Sequence, residues 1–234
     1  MVKSPPAPAT SACTLPDAAM KGRKRLRVVV LASGRGGTFA ALLAAQQDGR
    51  LPIEIVALLS DKRTARVLTV AESAGIATVA LRPRDYPDRA SFDRALFARV
   101  ADFTPDLVVL AGYMRVIDSS VVGEWRGRMI NLHPSLLPKY PGLQTHERAL
   151  AAGDDLHGAS VHYVTAELDG GPLIAQVRMP VVAGDTAETL AARLRPLERQ
   201  LLIRVVELIS QGRLALGAAT VEFDGHALVA PLRI

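Results

Sequence analysis

The chain has 234 residues, 49% of them hydrophobic and 22% charged, figures at the average of globular proteins that fit one sizeable α/β domain. Its formal net charge of +5 is spread along the chain, and four Tyr, five Phe and one Trp make no stacking platform, so a phosphorylated metabolite suits it better than a nucleic acid. The single cysteine, Cys13, excludes a disulfide framework and a Cys-rich metal site and fits a reducing cytoplasm, while no apolar run approaches the ~20 residues that span a bilayer.

Residues 1–24 are rich in Pro, Ala and Ser and lack the roughly 7–15-residue apolar core of a signal peptide. They predict a disordered tail over 1–25, followed by a single folded domain over 26–234. Val28, Val29, Val30 and Leu31 form the continuous apolar run of a strand buried on both faces, over 26–32. SGRGGTF and then AALLAAQQ follow it, giving strand, glycine turn and helix. Gly34, Gly36 and Gly37 let the backbone approach a ligand, and the free N–H groups at a helix start favour an anion. The spacing is not G-x-G-x-x-G, because the sixth residue counted from Gly34 is Phe39, so a phosphate fits better than a dinucleotide. A second strand is predicted over 53–59, a helix over 63–73 ending at Gly75, and a third strand over 77–81. Phe92, Leu96, Val100 and Phe103 give 88–103 an amphipathic helical pattern. A strand over 106–111 then feeds GYMRVID, where Gly112 frees the backbone, Met114 and Ile117 offer an apolar wall and Arg115 adds a positive group; a short helix over 121–126 follows.

The run MINLHPSLLPKYPG, residues 129–142, carries the chemistry. Asn131 and His133 lie two apart, so both point to one side of a strand end, and Pro134, Pro138 and Pro141 stiffen the exit. An amide and an imidazole side by side at the carboxyl end of a buried strand are what polarising a carbonyl requires. A helix over 146–152 is closed by Gly153; alternation over 159–164 puts Ser160, His162 and Val164 on one face, toward the site. LDGGP makes a tight turn that aims the Asp169 carboxylate at the pocket, with the glycines expected to absorb unusual backbone angles. After a strand over 173–179, Leu190, Leu194, Leu197, Leu201 and Val205 mark a helix over 186–211, which Pro196 should kink or split at roughly 3 kcal/mol. Residues 214–234, with the turn pair Asp224 and Gly225, read as an edge hairpin. The alternation of strands and helices predicts an α/β, Rossmann-like fold, a mostly parallel central sheet with helices on both faces.

The segments N-x-H-P-S-L-L-P, from Asn131, and S-V-H-(x6)-D-x-G-P, from Ser160, closely resemble those of the glycinamide ribonucleotide formyltransferases of purine synthesis. The wider folate-dependent formyltransferase superfamily shares the Asn, His and Asp, but the continuation KYPGLQTHERAL resembles this branch rather than the methionyl-tRNA or formyltetrahydrofolate-hydrolysing ones. The likeness runs from about 26 to 212 and implies the formyltransferase fold. It further implies Asn131, His133 and Asp169 as catalytic residues, with Ser160 and His162 orienting them. Gly36, Gly37 and Thr38 would hold the substrate phosphate where relatives usually have G-S-N, so it leans here on backbone amides and the Thr38 hydroxyl. Arg195 and Glu198, with the unusual Pro196 between them, would hold the nucleotide; Met114, Arg115, Val116, Ile117 and Asn131 would line the folate site. Two further departures are Val70, where relatives often carry an Arg, and Gln144, where they often carry a His. The resemblance implies 10-formyltetrahydrofolate as co-substrate and no metal. It also implies small-molecule partners only, no nucleic acid or membrane, and a cytoplasmic monomer or homodimer.

On this reading the substrate amine attacks the formyl carbon. Asn131 and a protonated His133 stabilise the oxyanion, each such donor being worth about 2.7 to 4 kcal/mol, and His133 protonates the departing folate nitrogen. Asp169 is expected to raise the His133 pKa above its ordinary ~6.5 and keep it charged at neutral pH. The alternatives are a formyltransferase acting on another amine, a non-catalytic nucleotide-binding paralogue, and a nicotinamide-dependent reductase. The short chain, the complete Asn–His–Asp set and the glycine spacing weigh against them in turn.

Overall fold

The computed structural model describes residues 24–218 and 220–234; residues 1–23, with Cys13 and nearly all of the predicted tail, lie outside the described residues. The elements run β1 (Leu26–Leu31), α1 (Gly37–Gln47), β2 (Ile53–Ser60), α2 (Arg66–Ser73), β3 (Ala77–Ala80), α3 (Arg89–Ala101), β4 (Leu107–Leu110), α4 (Ser119–Glu124) and β5 (Met129–His133). They continue with α5 (Thr145–Ala151), β6 (Leu156–Tyr163), β7 (Leu173–Pro180), α6 (Ala187–Ser210), β8 (Leu214–Leu216), β9 (Val221–Phe223), β10 (His226–Ala227) and β11 (Leu232–Arg233). Eight strands form one sheet in the order β11-β7-β6-β5-β4-β1-β2-β3, parallel except where β6 pairs with β5 and with β7.

The all-apolar β1 is buried on both faces because the sheet is covered on both. Val28 and Val30 join Phe39 and Leu42 of α1, Val67 of α2 and Leu190 to Val206 of α6 on one face; Val29 and Leu31 join Phe92, Leu96 and Val100 of α3 and Val121 of α4 on the other. The expected doubly covered parallel sheet is therefore present. Among the described residues no helix is long and apolar enough to cross a membrane.

Three expectations are corrected. Pro196 does not split the last helix, which runs unbroken from Ala187 to Ser210 with a Thr186–Thr189 capping box; seven buried apolar residues along its inner face hold it against the sheet across the missing bond. The C-terminal residues are not a lone edge hairpin. β8, β9 and β10 make a separate antiparallel sheet, with Asp224 (φ 51°) and Gly225 (φ 79°) in its expected turn, and β11 returns to pair in parallel with β7. The first helix begins at Gly37, earlier than the apolar pattern suggested, with Gly36 (φ 82°) as its N-cap. Only glycine fits at 36: a Cβ there would lie 2.4 Å from Val67 Cγ2 and the backbone is left-handed.

Candidate active site

β5 ends at His133 beside the antiparallel β6, with Asn131 opposite His162 and His133 opposite Ser160. The loop after β6 brings Asp169 back over this edge. Asn131 Nδ2 donates to His162 Nε2 at 3.2 Å and to Asp169 Oδ1 at 3.3 Å; the other Asp169 oxygen accepts from the Gly142 N–H at 2.8 Å and lies 3.4 Å from His133 Nδ1. Asn131, His133, His162 and Asp169, distant in sequence, thus form one cluster. The unusual backbone is carried by Asp169 itself (φ 51°), not by the glycines after it. Gly171 is needed for close approach instead, since a Cβ there would lie 1.8 Å from the Tyr163 carbonyl oxygen.

The expected charge on His133 is also corrected. The side chain is 7% exposed, and burial pushes its pKa below the ordinary imidazole value despite the Tyr140 carbonyl and the Asp169 carboxylate, which act the other way. The price of desolvating a cation outweighs one carboxylate that is already shared with Asn131 and Gly142. His133 Nε2 donates to the Tyr140 carbonyl at 2.9 Å, so in the neutral ring Nδ1 faces Asp169 unprotonated, and a proton taken up there would sit between the two groups. Asp169 is buried too, which alone would raise its pKa, but the close His162 ring, the hydrogen bond from the Gly142 amide and the nearby His133 imidazole hold it below the usual carboxylate value.

The proline-rich exit from β5 is ordered by Ser160. Its hydroxyl donates to the Ser135 carbonyl at 2.7 Å and accepts from the Leu137 amide at 3.1 Å and from Gln176 Nε2 at 3.0 Å, all in the interior. Tyr140 is anchored by its hydroxyl, which donates to Asp154 at 2.8 Å. Ser160 therefore acts on the site through the loop, and His162 acts through Asn131.

These groups open onto a cavity of about 670 Å³, walled by Met114, Val116, Ile117, Leu143 and Leu168, and Arg115 also lines it. The wall is tied to the turn that follows β1 by the Met114 N–H, which donates to Ser33 Oγ at 3.0 Å. The structure does not bring every expected residue into this cavity. Gly36, Gly37 and Thr38 stand at the start of α1, and Arg195 and Glu198 on α6; none of them lines it. α1 and α6 pack on one another, and the Arg195 charge reaches His146, which does line the cavity. Burial raises the Glu198 pKa against the pull of Arg195 and Arg199.

Sequence reasoning missed four contributors. Tyr140 and Gly142 act through backbone groups, which no side-chain motif reveals. His146 lies 2.9 Å from the buried His157, a pairing of residues 11 apart that depends on α5 folding against β6. Arg199 reaches Gly37: a Cβ at 37 would lie 2.8 Å from its Nη2. Its one signal was a cation one residue beyond Glu198.

Known proteins of similar sequence and fold show the family. The sequence profile of the formyl transferase family matches residues 26–206. The phosphoribosylglycinamide formyltransferase of Escherichia coli K12 is 41% identical over 203 residues, which is 87% of this chain and 96% of that protein. Among solved structures, the phosphoribosylglycinamide formyltransferase of Coxiella burnetii superposes with a TM-score of 0.86 at 43% identity, over 90% of this chain and all of that one. The Brucella melitensis enzyme of the same name gives 0.76 at 45%, over 80% and 96%. With the profile spanning every strand that builds the site, the chain belongs to the formyl transferase family.

Proposed function

We propose that this protein transfers the formyl group of 10-formyltetrahydrofolate to the amine of 5′-phosphoribosylglycinamide, as the names of its relatives describe for them. The observation that carries the reading is the Asn131–His133–Asp169 cluster at the mouth of a large apolar-walled cavity, on one edge of the sheet. The folate would lie along residues 114–117 and Asn131. The nucleotide would extend toward Gly36, Gly37, Thr38, Arg195 and Glu198, with its phosphate on the start of α1.

The neutral His133 changes how the proton is handled. The net reaction forms an amide C–N bond and breaks the folate N–C bond, so the amine loses one proton and the folate nitrogen gains one. A histidine charged in advance is unnecessary. The proton shed on addition is taken up at the His133–Asp169 pair, at Nδ1, and returned to the leaving nitrogen, while the Asn131 amide exchanges its long bond to Asp169 for one to the developing oxyanion.

The test is an absorbance assay with 10-formyl-5,8-dideazafolate and glycinamide ribonucleotide, run between pH 6.5 and 8.5 beside His133→Ala. Folate release should require the nucleotide, hold up across that range and disappear in the variant. Release without the nucleotide would point to formyl hydrolysis instead. A decline in rate above pH 7 would restore the pre-charged histidine.

A further inference from the structure

Glycine at 37 has its cause outside its own backbone. Gly36 before it is left-handed, but Gly37 opens α1 in helical backbone that any residue adopts. What excludes a side chain there is Arg199 of α6: a Cβ at 37 would lie 2.8 Å from its Nη2, 3.6 Å from its Cζ and 3.9 Å from its Nε. Three atoms of one guanidinium surround that point, so the group lies against Gly37 in the volume that a side chain at 37 would fill.

This guanidinium is uncommitted. Arg199 is half-buried and makes no ion pair or hydrogen bond among the described residues, although Glu198 feels its charge. It is a planar fork of N–H donors with no acceptor in contact. The start of α1 is open in the same way. It has no side-chain cap and no acidic residue in its first turn, Gly37 is exposed, and the Thr38 hydroxyl has no partner among the described residues. The first N–H groups of the helix and one hydroxyl attract an anion, but all are neutral, and the full positive charge at this place is that of Arg199. Arg195, Glu198 and Arg199 are three and four apart and share one face of α6. The Arg195 charge reaches His146 in the cavity wall and Arg199 reaches Gly37, so this face leads from the cavity to the start of α1.

We propose that Arg199 binds the phosphate of the nucleotide, its guanidinium standing in for a side chain at 37 and completing the subsite with the first amides of α1. This rests on the proposed reaction, which puts the phosphate at the start of that helix. Gly37 and Arg199 then form a matched pair: a side chain at 37 would displace the guanidinium, and removing the guanidinium leaves room for a hydroxyl at 37.

The experiment measures kcat and both KM values with glycinamide ribonucleotide and 10-formyl-5,8-dideazafolate in the wild type, Arg199→Ala, Arg199→Gln and Gly37→Ser/Arg199→Ala. Arg199→Ala should raise the nucleotide KM about tenfold to a hundredfold, the scale of one charged hydrogen-bonding partner, and leave kcat and the folate KM nearly unchanged. Arg199→Gln keeps the stem and loses the charge, so it should show the same rise and frees the test from how well the alanine variant folds. Serine introduced at 37 in the Arg199→Ala background should lower the nucleotide KM again by about threefold or more, since its hydroxyl enters the vacated volume. A merely structural Arg199 would give no such recovery. A nucleotide KM near the wild-type value in Arg199→Gln, an equal rise in the folate KM, or a double variant no better than Arg199→Ala overturns the assignment. A wild type that releases no folate in the presence of the nucleotide overturns the reaction itself.

Discussion

Asp169 is held by four groups at once: the Gly142 amide, the Asn131 amide and two imidazoles within 3.6 Å. Removing its charge while keeping its shape therefore isolates its chemical role. Asp169→Asn still accepts from Gly142 through its oxygen, so folding should be nearly intact, while the His133 Nδ1 loses the carboxylate that stabilises a proton there. Turnover should fall by about 10² to 10³, the scale of losing one preorganised electrostatic partner, with an unfolding midpoint close to wild type. Near-normal turnover in steady-state assays would remove Asp169 from the mechanism. The identity of these side chains was legible from two short motifs. The charge on His133 was not, because it depends on how completely the folded chain excludes water from the ring, and a sequence does not reveal that balance.

At the scale of elements, α6 shows packing overriding local propensity. Pro196 lacks the N–H that would bond the Ala192 carbonyl, yet Leu190, Leu194, Leu201, Leu202, Val205, Val206 and Leu208 are all buried along the helix. Restoring the donor with Pro196→Ala, at an exposed position, should stabilise the fold by about 1 to 3 kcal/mol and raise the unfolding midpoint by several degrees, read by calorimetry. An unchanged midpoint would mean that the helix has already relaxed around the proline. The strands and most helices were readable from period and punctuation, but the destination of β11 was not. A two-residue strand carries no pattern of its own, and it pairs with β7 only because α6 and the small sheet return the chain to that edge.

For the whole molecule, acid sensitivity is built into the junction of α5 and β6. His157 is 1% exposed and its pKa is pushed down to about 4 by burial, then by His146, with Asp154 opposing and His133 adding slightly. The unfolded chain binds this proton at the ordinary ~6.5, so the unfolded state holds more protons between those values and stability rises with pH there. The contribution is complete above pH 6.5 and is lost as the pH falls to about 4, amounting to up to about 3 kcal/mol. His146 and His133, shifted in the same direction, add to the slope. Urea unfolding at pH 7, 6 and 5 should show a falling midpoint that His157→Gln partly flattens. Parallel pH dependence in the two proteins would place the titrating group elsewhere.

What this sequence determined by itself was whatever repeats locally or travels as a motif: the doubly buried first strand, the alternation of strands and helices, the glycine turn, and the Asn, His and Asp of the site. Such features follow from side-chain period and backbone restriction, which act over a few residues. Tertiary structure alone decided the neutral state of His133, the left-handed backbone at Asp169, the Tyr140 and Gly142 backbone contacts and the approach of Arg199 to Gly37. Each depends on desolvation or on contact between segments far apart in the chain, and those energies do not exist until the sheet is assembled.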